Sequence, residues 1–441
     1  MDSIPIILFL LVFILILFGY PIALTLGGIS IIAGLLFFDV DFFYLVSLRI
    51  YGIMNNFVLL AVPLFVFMGL TLEKSGIAER LLETMAILFG KIKGGLAYSV
   101  IVVGGMLAAS TGIVGATVVT MGLISLPTML KRGYDPKLAT GVIASSGTLG
   151  QIIPPSVVLV LLGSVLNVSV GNLFISALLP GITLVFLYLI YVWFITYLSP
   201  SSAPSMPKKM IEEFKDKTSL INILNAFLLP FILIFAVLGS IFLGIASPTE
   251  AAGIGASGAI LLSLIQGSIN LKKIKEISSE TTKLTSIVFM ILLGATSFSL
   301  VFRGLEGDKI LVDLITTSNL TPEMFLIYIL IVVFIAGFFI DFIEIIFIIV
   351  PVIAPILIAL DIDLVWVGIM LAINLQTSFL TPPFGFSLFY LKSVSPKEIK
   401  TTDIYKGVIP FVIIQVFFLI FLFLNPEFIY IIPEFIENYS S

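Results

Sequence analysis

The stretch A-S-S-G-T-L-G-Q-I-I-P-P-S, residues 144–156, interrupts an apolar segment that is long enough to span a membrane. Its two prolines lack backbone N–H donors and clash with the preceding turn, so a continuous helix is not expected there. In hydrocarbon, a broken backbone is tolerated only where protein buries it or where it lines a water-filled cavity. The freed carbonyls and the hydroxyls of Ser145, Ser146 and Thr148 are hard oxygen ligands that suit a small cation. The stretch therefore predicts a discontinuous helix of a transport protein.

A second stretch, A-I-N-L-Q-T-S-F-L-T-P-P-F-G at residues 372–385, repeats this arrangement. Three landmarks recur at one constant shift, which is about half the chain: Pro127 and Pro355, Asp135 and Asp363, and Pro154 and Pro382. Few residues between these landmarks are identical, so it is the spacing that predicts an internal duplication.

The composition places the chain in a membrane. It is 59% hydrophobic and 11% charged over 441 residues, which is more apolar surface than a soluble domain can bury. The apolar runs are continuous, whereas the strands of a membrane β-barrel alternate. Cysteine and histidine are both absent, which excludes disulfides and Ser-His catalysis and disfavours zinc. No phosphate-binding G-x-x-x-x-G-K-[ST] loop occurs, so we expect an ion gradient to supply the energy.

The hydrophobic pattern predicts an all-α polytopic membrane protein with five spans in each half: 4–18, 21–38, 55–72, 138–165, 173–198, 221–243, 249–267, 284–302, 364–391 and 407–424. Two further apolar stretches, 94–130 and 322–360, are interrupted by glycine or proline. Both carry polar residues at their centres: Ser110, Thr111 and Thr117 in the first, Asp341 and Glu344 in the second. We interpret each stretch as a re-entrant hairpin, and a pair of ordinary spans is the alternative.

The basic residues support this topology. If the N-terminus is periplasmic, five cytoplasmic segments hold 19 of the 22 Lys and Arg residues: 73–93, 131–137, 199–219, 270–283 and 392–406. The outside segments hold only Arg49, Arg303 and Lys309, as the positive-inside rule requires. An odd number of spans makes the halves oppositely oriented, so we predict inverted repeats at 1–198 and 220–441. The C-terminus is then periplasmic too.

Four segments carry minor predictions. The Pro/Ser-rich segment 199–219 is predicted to be a cytoplasmic linker, in which residues 208–217 can form a short amphipathic helix. Residues 39–53 mix aromatics with Arg49 and are expected at the membrane interface. The first apolar run lacks a basic leader and a cleavage site, which indicates a retained helix. Glu250 is expected to cap a helix start.

Two carboxylates lie within the second hairpin. Asp341 and Glu344 are three residues apart, hence on one helix face, and a carboxylate inside a membrane is costly and by default functional. Cation coupling, proton coupling and hydrogen bonding at the hairpin tip are the alternatives. The hydroxyls near the breaks can equally bond back to their own helix, and the glycines can serve helix packing.

Several motifs resemble the large membrane (DctM-type) subunit of the tripartite ATP-independent periplasmic (TRAP) transporters. They follow one another over nearly the whole chain: P-L-F-V-F-M-G (63–69), E-K-S-G-I-A-E-R-L-L (73–82), G-K-I-K-G-G-L-A (90–97), L-P-T-M-L-K-R-G-Y-D-P (126–136), S-S-G-T-L-G-Q-I-I-P-P-S (145–156), S-P-T-E-A (247–251) and T-P-P-F-G (381–385). The variant F-I-D-F-I-E-I-I-F (339–347), followed by N-L-Q-T-S-F-L-T-P-P-F-G (374–385), resembles the subgroup labelled for mannitol or chloroaromatic compounds.

The resemblance implies an elevator-type fold of the ion-transporter superfamily, in which two hairpins and two broken helices form a mobile transport domain. It also implies a small four-helix (DctQ-type) membrane subunit, a periplasmic solute-binding protein and sodium-driven uptake of a small organic carboxylate across the bacterial inner membrane. Only three residues precede the first span, so the small subunit is expected as a separate chain. No cofactor, no nucleic-acid partner and no enzymatic activity are expected.

The resemblance also suggests site residues. Ser110-Thr111-Gly112 corresponds to the first hairpin tip, which usually reads S-G-S in the family. The residues expected to bind sodium are Ser110, Thr111, Gly112, Ser145, Ser146, Gly147, Gly337, Asp341, Asn374, Thr377 and Pro383. Those expected to bind substrate are Gly115, Thr148, Gln151, Gln376, Thr381 and Gly385. Two other functions stay open: a stand-alone sodium/carboxylate or anion transporter of the same superfamily, and a membrane enzyme that uses Asp341 and Glu344.

Overall fold

The computed structural model describes residues 4–112, 114–207, 220–317 and 321–440. Within these ranges the regular elements are helical and none is a β-strand, which confirms the all-α prediction. Over the same residues six helices are long and apolar enough to cross a membrane, or seven if one bent pair is counted as a span. The chain is a multi-pass membrane protein.

The first half of the chain ends with the longest of its helices. Its helices are α1 (Ile4–Leu17), α2 (Ile22–Phe37), α3 (Phe42–Met54), α4 (Ala61–Lys74), α5 (Ile77–Leu88), α6 (Gly95–Thr111), α7 (Val114–Lys131), α8 (Pro136–Thr148), α9 (Val157–Leu166) and α10 (Val170–Leu198). Short 3-10 turns precede α4 at Phe57–Leu60 and follow α8 at Leu149–Gln151.

The second half begins, in the described residues, at Leu220. Its helices are α11 (Leu220–Phe242), α12 (Pro248–Ile265), α13 (Leu271–Gly304), α14 (Gly307–Thr317), α15 (Pro322–Ala336), α16 (Phe342–Ile348), α17 (Val350–Ala359), α18 (Leu364–Leu380), α19 (Phe386–Val394), α20 (Thr401–Leu424) and α21 (Ile431–Ser440). Helices α16 and α17 meet at a bend of 49°.

The helix bounds recur at the same constant shift that the prolines indicated. Helix α7 covers 114–131, while α16 and α17 together cover 342–359. Helix α8 begins at residue 136 and α18 at residue 364, and the ends of α2 and α12, at 37 and 265, are separated by the same interval. The correspondence supports the internal duplication. The opposite orientation of the two halves stays a prediction.

Several elements differ from the expected spans. Helix α13 runs unbroken for 34 residues, so the predicted span 284–302 is the second part of a longer helix that begins in the charged segment 270–283. The Asn270 side chain caps its start by accepting from Lys273 N–H at 2.9 Å. Helices α5, α14 and α21 were not predicted because charged residues interrupt the apolar runs of their sequences. The amphipathic helix expected at 208–217 lies outside the described residues.

The broken segments lie at the centre of the molecule. Helix α8 packs against α6, α7 and α20, and residues 138–152 are all buried. A Cβ on Gly141 would lie 2.1 Å from the Gly407 carbonyl oxygen, so the backbones of α8 and α20 touch, as small residues allow in membranes. Residues 367–380 of α18 are also buried. Outside this centre, α2 packs along α13, and α4 packs along α12 and α13.

Candidate functional site

The first break, residues 152–156, separates α8 from α9. The chain leaves helical geometry after the turn at Leu149–Gln151, since the two prolines that follow cannot donate to it. Ser156 then caps α9, because its Oγ accepts from Leu159 N–H at 3.4 Å. The same hydroxyl donates to the Gln151 carbonyl at 2.8 Å. One serine therefore fixes both sides of the break.

The second break, residues 381–385, separates α18 from α19 in the same way. Asp363 caps the start of α18 by accepting from Val365 N–H at 2.7 Å. After the break, the Ser387 hydroxyl reaches back and donates to the Phe379 carbonyl at 2.7 Å. A Cβ on Gly385 would lie 2.5 Å from that same carbonyl oxygen, so the close turn requires glycine at this position. Both predicted discontinuities are thus present in the structure.

The hydroxyls beside the breaks bond back to their own helices, which was the alternative left open by the sequence. The donor–acceptor pairs are Ser145 to Val142, Ser146 to Ile143, Thr148 to Ser145, Thr377 to Ile373, Ser378 to Leu375 and Thr381 to Thr377, at 2.7–3.2 Å. A hydroxyl has one proton and two lone pairs. With the proton committed to a carbonyl, the oxygen can still accept a hydrogen bond or ligate a cation.

The amides at the breaks differ in their contacts. Asn374 donates to the Leu330 carbonyl on α15 at 2.7 Å and so joins α18 to the second hairpin. Gln151 is fully buried, and neither of its side-chain polar atoms has a partner within the described chain. Buried amides normally are hydrogen-bonded, so Gln151 is available to a ligand or to water.

Gln376 belongs to a buried polar group that the sequence analysis missed. Its side chain lies beside the hydroxyl of Tyr188 on α10, and this hydroxyl accepts from the Gln415 amide on α20. All three side chains are fully buried. Tyr188 and Gln415 sit singly in long apolar runs, and only the polarity of Gln415 within α20 could have pointed to them.

The tip of the first hairpin meets the first break. Gly112 has a φ of +61°, a conformation that glycine adopts readily. A Cβ there would lie 2.5 Å from Val157 Cγ2, at the start of α9. Gly147 packs equally closely against Val118 on α7. The backbone of Ser110 and Thr111 ends α6, but their side chains lie outside the described residues.

The tip of the second hairpin meets the second break. A Cβ on Gly337 would lie 2.1 Å from Ser378 Oγ. Asp341 caps α16 by accepting from Phe342 N–H at 2.7 Å, and its own N–H donates to Glu344 Oε2 at 3.0 Å. The two carboxylates thus form a reciprocal capping box. Hydrogen bonding at the tip is therefore present, while cation and proton coupling by these groups stay predictions.

Tyr390 on α19 lies near residues of both hairpins, and sequence reasoning missed it too. A Cβ on Gly115, at the start of α7, would lie 2.9 Å from the Tyr390 ring. The Asp341 carboxylate is close enough to act electrostatically on the Tyr390 hydroxyl. The start of α7 therefore packs against α19, and the Asp341 carboxylate of the second tip is within electrostatic range of it. The remaining candidates sit on the break itself: Gly385 N–H donates to the Thr381 carbonyl at 3.0 Å, and the Pro383 carbonyl accepts from Tyr405 at 2.9 Å.

The ligand chemistry of this region is neutral oxygen. No group of three or more carboxylates gathers anywhere in the described ranges. A cation held here would rest on hydroxyl, amide and carbonyl oxygens, with the paired carboxylates of Asp341 and Glu344 as the nearby charges. Such a set suits a weakly held monovalent cation better than a divalent one, which takes several carboxylates.

Comparison with known proteins identifies the family of the chain. The family model described as "Tripartite ATP-independent periplasmic transporter, DctM component" matches residues 9–428. The chain belongs to the DctM family of TRAP transporter large permeases. The resemblance to the DctM-type TRAP subunit is thereby confirmed, while the subgroup stays a prediction.

Two relatives illustrate the family. The C4-dicarboxylate TRAP transporter large permease DctM of Pseudomonas aeruginosa is 30% identical over 394 residues, 89% of this chain and 90% of that protein. The sialic acid TRAP transporter large permease SiaM of Vibrio cholerae is 30% identical over 392 residues, 88% of this chain and 89% of that protein. These relatives are transporter permeases, not enzymes.

One solved structure shares the fold of this TRAP permease. The YdaH transporter of Alcanivorax borkumensis, described as having an unusual topology, superposes with a TM-score of 0.66. The match covers 96% of this chain and 98% of that one at 13% identity.

Proposed function

We propose that this TRAP large permease imports a small organic carboxylate, coupled to sodium, by an elevator movement of the two hairpins and two broken helices. The observation that carries the proposal is the pair of breaks, each lined by hydroxyls and amides and each covered by a hairpin tip. The family supplies the assembly: a TRAP large permease works with a small permease subunit and a periplasmic binding protein. A separate four-helix subunit is proposed here.

Sodium coupling is supported by the oxygen atoms at the breaks. The hydroxyls of Ser145, Ser146 and Thr377 have their protons committed to carbonyls, so only lone pairs remain for further contacts. Carbonyls freed by unwound helices are the usual partners of sodium in secondary transporters. At least two sodium ions are proposed, one for each half.

Carboxylate binding is supported by helix ends. Helices α9 and α19 both begin at the breaks, and a helix N-terminus carries a partial positive charge and free N–H donors. The two relatives named above are transporters of C4-dicarboxylates and of sialic acid, which both carry carboxylates. Gln151 and Gln376 are the side chains that we assign to the neutral part of the solute.

The proposal includes the membrane and the orientation of the chain in it. We place the chain in the bacterial inner membrane with both termini in the periplasm, on the distribution of the basic residues. Each hairpin enters and leaves on one side. No cofactor is required beyond the coupling ion.

Uptake into proteoliposomes tests this function. This chain, the small subunit and the binding protein are supplied singly and together, with and without an inward sodium gradient, and uptake of succinate and of sialic acid is measured. Uptake only with all three components and sodium is expected. Uptake by this chain alone would identify a stand-alone transporter, and uptake without sodium would refute the coupling.

Two variants locate the ion sites. Ser145→Ala and Asn374→Ala each should raise the sodium concentration for half-maximal uptake about 10-fold, since a lost charge-assisted contact costs about 1.5 kcal/mol. Ser30→Ala is the matched control, because Ser30 is buried and bonds back to Leu26 in the same way, but on α2. Unchanged sodium activation in both site variants would remove these residues from the site.

A further inference from the structure

A cavity lies apart from the breaks. It is an open cavity lined by α3, the end of α9, α13 and α17, and its volume is about 560 Å³, within the range of small-molecule sites. Two arginines line it, Arg49 from α3 and Arg303 from α13. We call it the arginine cavity.

The lining of the arginine cavity carries positive charge that no described acidic residue in it neutralises. Among the described residues that form it none is Asp or Glu, and the polar ones are neutral: Asn56, Ser164, Asn167, Thr296 and Ser299. Arg303 donates weakly to the Pro351 carbonyl at 3.5 Å. That carbonyl is free because Pro355, four residues on, has no N–H to offer it. A concave wall with two positive charges concentrates anions.

The distribution of basic residues along the chain singles out this cavity. Only three basic residues lie in the predicted outside segments, and two of them line this one cavity. The third, Lys309, forms an ion pair with Glu306 at 2.5 Å. Two of the three exceptions to the positive-inside pattern, and both of those outside an ion pair with Glu306, thus lie at a single place on the predicted periplasmic side.

The cavity is one short helix away from the breaks. Helix α9 begins at Val157, against the first hairpin tip, and its C-terminal end carries Ser164 and Asn167 into the cavity wall. Ten residues of helix span about 15 Å. Helix α16 likewise runs from Asp341 at the second tip to Phe347 in the wall.

We propose that the arginine cavity is an anion site that receives the carboxylate of the solute on the periplasmic side before the solute reaches the breaks. Arg49 and Arg303 supply the charge, and the neutral amides and hydroxyls supply hydrogen bonds. The identity of the anion as the transported solute rests on the proposed function; the anion site itself does not.

A charge-selective labelling experiment tests the anion site without a known solute. The chain contains no cysteine, so Ser299→Cys introduces a single thiol into the cavity wall of the full-length chain. In nanodiscs, the thiol is treated with anionic sulfonatoethyl or cationic trimethylammonioethyl methanethiosulfonate. The ratio of the anionic to the cationic rate should fall on the order of 5-fold for each of Arg49→Gln and Arg303→Gln, as for charges about 8 Å apart in a water-like dielectric. Lys309→Gln is the control and should leave the ratio unchanged.

The labelling rates test the anion site and the identity of the anion separately. A ratio that neither arginine variant changes overturns the anion site. Slower labelling in millimolar succinate or N-acetylneuraminate, lost in the double arginine variant, supports solute binding. If the binding protein slows labelling and both solutes fail to, the arginines contact an acidic surface of that protein, and the solute assignment is wrong. Absence of uptake in the three-component assay refutes the proposed function but leaves the rate ratio standing.

Discussion

The contact between Glu73 and Thr120 offers a direct test of how the first hairpin is held. Thr120 on α7 donates to Glu73 Oε1 at the end of α4, while Glu73 Oε2 is buried without a partner in the described residues. Helix α4 packs against α12 and α13, so this hydrogen bond joins the hairpin to helices outside the broken segments. Because the Glu73 carboxylate has this one hydrogen-bond donor in the described part of the chain, removing the donor should destabilise the fold.

We predict that Thr120→Val lowers stability by about 1–3 kcal/mol, because valine keeps the shape of the side chain but strands a largely buried carboxylate. The matched control is Thr128→Val on the same helix. Thr128 donates to its own helix, at Ile124 O and 3.2 Å, so its loss leaves no buried group stranded and should cost less than about 0.5 kcal/mol.

The measurement is the apparent midpoint of thermal unfolding of the purified chain in detergent. Thr120→Val should lower it by at least about 2 °C, and Thr128→Val should leave it in place. Glu73→Met combined with Thr120→Val should recover most of the loss, since no carboxylate then remains without a donor. Equal effects of the two threonine variants, or strict additivity in the double variant, would falsify the assignment.

Two further predictions concern helix contacts. Gly141→Ala should lower the unfolding midpoint by several degrees and reduce uptake, because its Cβ would lie 2.1 Å from Gly407 O and overpacking costs about 1–3 kcal/mol. Gly253→Ala is the control and should have no such effect, since the space around its Cβ is open. Equal losses in the two variants would contradict the packing argument. Tyr188→Phe should lower the free energy of unfolding by about 1–3 kcal/mol, because it leaves the Gln415 amide unpaired in the core. Adding Gln415→Leu should restore the unfolding midpoint. A double variant no more stable than Tyr188→Phe alone would show that the loss of this hydrogen bond does not cause the destabilisation.

The sequence predicted the breaks well because their causes are local. A Pro-Pro pair removes two donors wherever it stands, and the serine that follows the first pair is a common helix cap. Glu250 was predicted to cap a helix, and it forms a capping box with Ser247. The constant shift between the two halves was visible because Asp135 and Asp363 cap helix starts and Pro154 and Pro382 lie at the breaks. The third pair of landmarks, Pro127 and Pro355, lies inside helices.

Contacts between distant segments could not be predicted. Tyr390 lies near Gly115 and Asp341 only because α7, α16 and α19 converge, and no periodicity carries that information. The same holds for Tyr188 with Gln415, which are 227 residues apart. Asp341 was singled out for its cost in a membrane, but its role as a helix cap depends on where α16 begins.

The two breaks have a similar backbone arrangement but different side chains, and this difference bears on the mechanism. At the shift that relates Pro154 to Pro382, Ser146 corresponds to Asn374 and Thr148 to Gln376. Ligands supplied by freed carbonyls depend on the backbone break and so are expected in both halves. Contacts that select a solute depend on side chains, and those differ between the halves. We therefore expect the ion sites to repeat with the duplication, and a single solute site to lie between them where the unlike side chains face each other.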